Sequence, residues 1–285
     1  MNDKVLNRAK QKIDYNDYIR LFNLQKEYKW LEYESEALFE LWCLSENDEQ
    51  KKTIEFLINN FLFIDGHNLH ESTLKIANHI EKAWNLKAKN TFIVATCDNS
   101  NPDGSQYLIQ RLKNKFSTDW RESHFFNSLP VGANEIPNNS TIILIDDFIG
   151  TGNTISRKLD YVKKTITDRG LNVISIKVVS LATMKFAEVV LSSHGVDYFS
   201  VHWLNKGISE LVPTDKKEVA TKAMEELENK LQKKYRGRKL PNFGYKRSES
   251  LFALGFNNIP NNVFPIFWWP SLTGGILRKT IFKRV

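Results

Sequence analysis

Apolar residues recur at helical spacing through the first part of the chain. Residues 44–63 carry such a stripe behind Ser45, which can cap a helix, and Asp48 stands three residues later at the capping-box position. A second stripe follows Asn68, and Glu71 stands three residues later at the capping-box position. We therefore predict a helical N-terminal region over residues 1–88.

From residue 91 onward, short apolar runs alternate with amphipathic stretches. The apolar runs predict strands at residues 91–97, 141–146, 173–182, 196–204 and 250–256. The amphipathic stretches predict helices at residues 106–116, 152–170, 183–195 and 214–235. Strands and helices in alternation imply parallel strands with helices on both faces of the sheet. We expect a doubly wound, mainly parallel α/β domain over residues 89–285, with a C-terminal extension.

Residues 117–140 show neither periodicity. They contain Pro130, Gly132 and Pro137, which favour turns. Long aperiodic segments inside compact domains are often lids or binding loops. We expect this segment to be a mobile loop near a site.

Composition narrows the class of protein. Hydrophobic residues make up 41% of the 285 positions and charged residues 26%, which is typical of a soluble globular protein. The start of the sequence lacks the apolar core of a signal peptide, and no window is apolar enough to span a membrane. Cys43 and Cys97 have no disulfide-framework or zinc spacing. We expect a cytoplasmic protein without a membrane partner.

The formal net charge of +7 favours anionic partners. Lysine and arginine concentrate in two basic clusters, residues 233–239 (KKYRGRK) and residues 278–284 (RKTIFKR). Tyr235 and Phe282 lie among these cations, as in surfaces that bind nucleic acid by stacking and phosphate contact. A nucleic-acid or protein partner and an ordinary solvated surface both remain open at this stage.

The strongest chemical signal is IILIDDFIGTGNT, residues 142–154. An apolar strand leads into Asp146 and Asp147, and a turn rich in glycine and hydroxyl residues follows. In an open parallel sheet, ligands bind beyond the carboxyl ends of the strands, where a glycine turn and the N–H groups of a helix start can hold a phosphate. The stretch therefore predicts an anion site beside two carboxylates.

Common phosphate motifs do not fit this stretch well. A Walker loop ends in Gly-Lys-Ser/Thr, whereas this chain has Gly152, Asn153 and Thr154. A dinucleotide fingerprint needs a third glycine where Ser156 stands. A ribose 5-phosphate fits better, because carboxylates accept hydrogen bonds from ribose hydroxyls while the turn holds the phosphate.

The stretch resembles the signature of the type I phosphoribosyltransferases along its whole length. The resemblance implies a glycosyltransferase acting on phosphoribosyl pyrophosphate (PRPP) with Mg²⁺. Asp146 and Asp147 would then be the catalytic carboxylates, binding the ribose hydroxyls directly or through the metal. The residues implied for the 5-phosphate are Gly150, Thr151, Gly152, Asn153 and Thr154.

The resemblance extends upstream of this motif. Asp103, Gly104 and Ser105 follow the first strand of the α/β domain, where the family places its pyrophosphate loop. The family also has a mobile loop at the position of residues 117–140. Lys113, Lys115 and Arg121 are the cations near it that the resemblance offers to pyrophosphate.

One position departs from part of the family. Purine-salvage members carry an aspartate where this chain has Gly150, so we do not expect purine salvage. The whole chain is similar, more loosely, to phosphoribosyltransferase-like effectors of bacterial conflict and phage-defence systems. An enzyme acting on a nucleotide-type substrate and a non-catalytic PRPP or nucleotide sensor both remain open, and we expect a homo-oligomer or a complex.

The C-terminal extension holds two further groups of candidates. Four asparagines are placed either to line the site or to form a tight turn, namely Asn257, Asn258, Asn261 and Asn262. Four aromatic residues are candidates for stacking on a ring or for the core, namely Phe264, Phe267, Trp268 and Trp269.

Overall fold

The computed structural model describes residues 13–98 and 103–284. The α-helices are α1 (Tyr15–Glu27), α2 (Ser35–Trp42), α3 (Asp48–Asn59), α4 (Gly66–Asn78), α5 (Gly104–Leu112), α6 (Leu129–Glu135), α7 (Asn153–Asp168), α8 (Glu188–Ser193) and α9 (Thr214–Asn229). The strands are β1 (Leu62–Ile64), β2 (Thr91–Ala95), β3 (Phe125–Phe126), β4 (Ser140–Ile149), β5 (Val173–Met184), β6 (Asp197–Leu204), β7 (Lys234–Tyr235), β8 (Arg238–Lys239) and β9 (Phe252–Leu254).

A five-stranded parallel sheet organises the molecule, in the order β3-β2-β4-β5-β6. Helices α4 and α5 pack on one face, and α6, α7 and α8 lie on the other. Side chains alternate across β4 accordingly: Ile143 and Ile145 join the core under α5, and Ile142 and Leu144 join the core under α7. The predicted doubly wound α/β fold is confirmed.

The N-terminal helices share a core with the C-terminal extension, which is the part of the chain that follows β6. Leu38, Leu41 and Ile54 belong to the same buried cluster as Phe267 and Trp269. Strand β1 also pairs in parallel with β9, Leu62 opposite Phe252, in a separate two-stranded sheet. The predicted boundary near residue 88 stays a prediction, but the two sides of it are joined by this core.

Several predicted boundaries are wrong for local reasons. Helix α3 is capped by Asn47 and not by Ser45, because the Asn47 side chain accepts a hydrogen bond from the Gln50 N–H. Helix α4 is capped by Asp65, so Asn68 is already inside the helix. Local backbone geometry decides which of several neighbouring polar residues caps a helix, and their spacing in the sequence does not show which one it is.

Two predicted helices are shorter than their sequence patterns. Helix α9 ends at Asn229, and the basic segment after it forms the β7–β8 hairpin. Strand β5 runs on to Met184, which leaves only a short 3-10 turn and α8 before Gly195.

The segment 117–140 is not an aperiodic loop. It contains a 3-10 turn at Glu122–His124, edge strand β3 beside β2, and helix α6, whose N-terminus is capped by Ser128. Helix α6 packs against α7 and β2. The expected mobile loop is therefore replaced by regular elements of the sheet and its cover.

Two sequence-based expectations concern cysteines and membranes. Cys43 and Cys97 are not joined in a disulfide. None of the described helices combines the length and apolar character that crossing a membrane requires.

Candidate phosphoribosyl site

The start of α7 is built to receive an anion. Gly152 has φ 79°, a left-handed conformation that glycine adopts without steric cost, and no side chain caps the helix. The first N–H groups of a 16-residue helix are thus left to an external acceptor. Thr151, Asn153 and Thr154 place further polar side chains at this helix start.

The side chains of Asp146 and Asp147 are hydrogen-bonded to each other, so these adjacent residues do not diverge to opposite faces of the sheet as in a regular strand. Asp146 is only 8% exposed, and one of its carboxylate oxygens lies 4.0 Å from Lys158 Nζ on α7. Asp147 also reaches the start of α5: a Cβ built on Gly104 would lie 2.0 Å from Asp147 Oδ2. Gly104 is therefore the residue that lets the Asp147 carboxylate approach the start of α5.

The start of α5 is already occupied by acids. Asp103 Oδ1 accepts hydrogen bonds from the Ser105 N–H at 2.9 Å, the Ser105 hydroxyl at 2.5 Å and the Gln106 N–H at 3.4 Å. Ser105 is fully buried, and its hydroxyl also accepts the Cys97 N–H. Of the residues predicted to bind pyrophosphate, Ser105 thus points inward and Asp103 serves as a helix cap.

The three carboxylates create an unbalanced negative site. Burial raises the pKa of Asp146, the positive charge of Lys158 opposes the shift, and Asp103 adds to it. Burial also raises the pKa of Asp147 well above its ordinary value, and the charges of Asp146 and Asp103 reinforce that rise. A cation or a hydrogen-bond donor brought by a ligand would relieve this repulsion.

A cavity of about 840 Å³ opens between the carboxyl end of β4 and the C-terminal extension. Of the residues predicted for the site, those that line it are Asp103, Asp146, Gly150, Thr151, Gly152, Asn153 and Thr154. Asp147, Gly104 and Ser105 are not among the described lining residues. The structure thus joins the predicted 5-phosphate loop to one of the two aspartates in a volume suited to a nucleotide-sized ligand.

The C-terminal extension supplies the other wall of the cavity. Asn261, Asn262 and Tyr245 line it, whereas Asn257 and Asn258 do not. Asn262 packs directly on Gly150, where a Cβ would lie 2.5 Å from the asparagine side chain. The space that an aspartate at Gly150 would need is therefore filled from the extension.

The four aromatic candidates of the extension lie in the core. Phe264, Phe267, Trp268 and Trp269 are at most 5% exposed, and they belong to the cluster shared with the N-terminal helices. None of them is among the described residues that line the cavity. Their interpretation as stacking residues of this site is wrong.

The cations proposed for pyrophosphate lie at the other end of the sheet. Helix α5 starts at the cavity side and runs back, so Lys113 and Lys115 follow its far end. Lys113 pairs with Glu122 at 3.0 Å, and Lys115 contacts His70. Arg121 borders a different cavity beside Lys89, which precedes β2. The sequence placed these residues near the motif, but the helix carries them away from it.

The lining residues missed from the sequence include two cations and a tyrosine. Arg157 and Lys158 lie one turn into α7, and Tyr245 comes from the extension. Lys158 stands four residues after Thr154, a spacing that puts both on one face of a helix. That spacing was a usable signal for Lys158, whereas nothing local marks Tyr245.

The acids present fit a Mg²⁺ ion that arrives with its ligand. Within residues 13–98 and 103–284, no three histidine, cysteine or acidic side chains converge as a complete metal cage. Mg²⁺ usually takes one or two carboxylates and fills its remaining positions with water and substrate phosphates. Asp146 and Asp103, which border the same cavity, match that requirement.

The parallel sheet, with the uncapped start of α7 beside Asp146 at the end of β4, has the arrangement that the sequence predicted for a protein of phosphoribosyltransferase type. The family model PRTase-CE matches residues 9–284, so the chain belongs to the PRTase-CE family. The resemblance to phosphoribosyltransferases seen in the sequence is thereby confirmed. A comparison with curated proteins finds no match.

Solved structures show more distant likeness. A hypothetical protein from Neisseria gonorrhoeae with bound ppGpp is 13% identical, with a TM-score of 0.36 over 57% of this chain and 97% of that one. Orotate phosphoribosyltransferase from Aeropyrum pernix is 16% identical, with a TM-score of 0.32 over 49% of this chain and 76% of that one. The PRPP complex of orotate phosphoribosyltransferase from Mycobacterium tuberculosis H37Rv is 12% identical, with a TM-score of 0.32 over 55% and 89%. Likeness at this level assigns no ligand to this chain.

Proposed function

We propose that the cavity binds PRPP or a related ribose 5-phosphate ligand together with Mg²⁺, and that the protein transfers or removes a phosphoribosyl group on a nucleotide-type substrate. The observation that carries this proposal is the uncapped start of α7 beside the buried Asp146 in one cavity. Anion donors and a carboxylate at this separation along one loop match the two ends of a ribose 5-phosphate.

Each part of the loop has a separate task in this proposal. The N–H groups at the start of α7 and the side chains of Thr151 and Thr154 hold the 5-phosphate. Asp146 accepts hydrogen bonds from the ribose hydroxyls, and Lys158, 4.0 Å from that carboxylate, keeps part of its charge balanced. The ribose is thereby fixed at both ends, which orients its C1 atom.

The proposed reaction is a displacement at C1 of the ribose. The bond from C1 to the pyrophosphate oxygen breaks with its electron pair on that oxygen, and a bond from C1 to an acceptor nitrogen or water oxygen forms. The proton that the acceptor loses passes to the departing pyrophosphate or to solvent. Asp146 and Asp103 would hold Mg²⁺, which would supply positive charge for the leaving pyrophosphate. The aspartates also stabilise the positive charge that develops on the ribose.

A non-catalytic sensor is the second candidate, and one observation favours it. The start of α5, where pyrophosphate is expected, is capped by Asp103 and approached by Asp147. Lys113, Lys115 and Arg121 lie too far along the fold to neutralise a pyrophosphate there. A protein that binds a ribose 5-phosphate without releasing pyrophosphate needs no such cation.

Calorimetric titration of PRPP with Mg²⁺ tests binding. We expect heat with the wild-type protein and none with Asp146→Asn/Asp147→Asn. Asp168→Asn is the matched control, because it removes a carboxylate at the other end of α7 and is expected to bind like wild type. No heat with folded wild-type protein would refute the proposed ligand.

A pyrophosphate-release assay separates the enzyme from the sensor. PRPP would be incubated with nucleobases, nucleosides and nucleotides in turn. Release that depends on Asp146 supports the transferase, and binding without release from any acceptor supports the sensor.

The sequence similarity to conflict-system effectors extends the proposal to phage defence. Plaque counts on cells producing the wild-type protein or Asp146→Asn/Asp147→Asn test this role. Equal plaque counts for the two would argue against it.

A further inference from the structure

The two basic clusters, far apart in sequence, meet in the fold. Arg236 and Arg238 from the first and Lys283 and Arg284 from the second line one cavity of about 480 Å³, together with Trp268. We call this cavity the basic-aromatic pocket. It is separate from the cavity at the start of α7, which we call the phosphoribosyl cavity. The two cavities have no lining residue in common.

A hairpin presents the first cluster to the pocket. Strands β7 and β8 pair antiparallel with Tyr235 opposite Arg238, and Arg236 and Gly237 form the turn with φ of 45° and 80°. Two successive left-handed residues give a tight turn whose twist suits a two-residue hairpin. The cations therefore stand on a defined scaffold and not on a frayed helix end.

Among residues 13–98 and 103–284, no acidic side chain neutralises the positive charges of the pocket. No acidic residue is among its described lining residues, and no described carboxylate lies within 4.0 Å of the four cations. Nearby lysines show the contrast, because Lys230 pairs with Glu46 and Lys279 with Glu36. Uncompensated like charges held around one cavity favour an anionic ligand.

Aromatic rings and one backbone carbonyl contact two of the three arginines, Arg236 and Arg284. The Arg284 guanidinium lies 5.9 Å from the Trp268 ring centroid, and its Nη1 donates to the Ile259 carbonyl at 2.5 Å. Arg236 lies 5.4 Å from the ring centroid of Tyr235, which is half-buried at the pocket wall. These contacts hold the guanidinium groups ready, so less side-chain entropy is lost when a ligand binds.

We infer that the basic-aromatic pocket binds single-stranded nucleic acid. The exposed Lys233, Lys234 and Lys239 extend the positive surface beyond the pocket, which gives more charge than one phosphate requires. The pocket itself has room for one nucleotide, and Tyr235 offers a ring to a base. A concave pocket of this kind admits an unpaired base more readily than the stacked pairs of a duplex.

Fluorescence anisotropy with labelled oligothymidylate tests the inference on the full chain. A length of about 20 nucleotides exceeds the ~4–16 that one such site covers. The variant is Arg236→Asn/Arg238→Gln, in which asparagine keeps the left-handed turn position. The matched control is Lys216→Gln/Lys222→Gln, which removes the same charge from the exposed face of α9.

We expect the pocket variant to bind at least about tenfold more weakly at moderate salt, with the salt slope reduced by about 1.4 for two lost phosphate contacts. The control should change affinity by less than about twofold, because its lysines lie outside the pocket. Equal losses in both variants would overturn the inference, because the binding would then reflect net charge alone.

Competitors separate this pocket from the phosphoribosyl cavity and from other ligands. Saturating PRPP should leave oligothymidylate bound, and Asp146→Asn/Asp147→Asn should bind it like wild type. Displacement by PRPP would place the strand in the other cavity. Displacement by micromolar adenosine monophosphate would make the pocket a mononucleotide site, and equal affinity for a duplex would refute preference for a single strand; each result overturns the inference.

Discussion

Two helix N-termini flank the carboxyl end of β4, and they differ in whether a side chain caps their N–H groups. The start of α5 is capped by Asp103 and approached by Asp147. The start of α7 begins at Gly152 with no capping side chain. The two strand-loop-helix patterns are similar, but their helix N-termini differ. The N–H groups at the start of α5 are bound by the protein's own side chain, and those at the start of α7 are left for a ligand. This difference is the reason why we propose the start of α7 as the phosphate site.

The largest test alters the open end. Gly152→Ala would force a left-handed alanine and set its Cβ 2.8 Å from Val190 Cβ. We expect a loss of about 2–4 kcal/mol of unfolding free energy and at least about tenfold weaker ribose 5-phosphate binding. Thermal unfolding and calorimetry measure the two effects.

Gly170→Ala is the control for backbone strain. Gly170 is also left-handed, with φ 63°, but nothing lies within 4 Å of its Cβ position. It should lose only about 1–2 kcal/mol and keep its ligand affinity. A similar loss of affinity in both variants would show that the α7 start has no special role.

The next test alters the occupied end. In Gly104→Ala, the new Cβ would overlap Asp147 Oδ2, so the carboxylate must move. We expect a destabilisation of about 1–3 kcal/mol, measured by denaturant unfolding. Gly66→Ala, at the first position of α4 with open space around it, should be neutral or stabilising. Equal stability of the two variants would contradict the close approach of Asp147.

Removing the charge of Asp147 should stabilise the free protein. Its pKa is raised by burial, so the folded state holds a proton more tightly than the unfolded chain does. Stability therefore falls as pH rises from the ordinary carboxyl pKa through the raised one. Asp147→Asn removes this cost, and we expect a gain of about 1–3 kcal/mol near pH 7 without Mg²⁺. The gain should vanish in acid; a gain independent of pH would contradict this account.

The smallest effect concerns the cap of α5. Asp103→Asn keeps the capping acceptor but removes a negative charge beside the expected pyrophosphate position. Without Mg²⁺, pyrophosphate should bind about threefold more tightly by calorimetry. Asp65→Asn, the same change at the cap of α4, should leave pyrophosphate affinity unchanged. Unaltered affinity in Asp103→Asn would place pyrophosphate elsewhere.

The comparison also explains what could be predicted from the sequence. The α/β sheet and the loop of residues 150–154 follow from local patterns: an apolar strand, two acids and a glycine turn. The roles of Asp103 and Ser105 depend on which neighbouring N–H each side chain meets, and spacing does not encode that. Tyr245, Asn261 and Asn262 reach the cavity only through tertiary packing of the extension.

The same limit applies to the cations. Lys113 and Lys115 are close to the motif in sequence, but the direction of α5 separates them from it. The two basic clusters are far apart in sequence, and packing of the β7–β8 hairpin against the C-terminal segment unites them. Separation in sequence thus did not predict separation in the fold where a helix or a long connection lay between the residues.

The pairing of β1 with β9 has a consequence for biogenesis. Leu62 meets Phe252 only after the whole parallel sheet between them has been synthesised. Closing so long a loop is entropically costly and tends to slow folding. During translation, the helices that emerge first would therefore keep their apolar faces uncovered until the C-terminal residues are made, which exposes them to aggregation or chaperone binding at that stage.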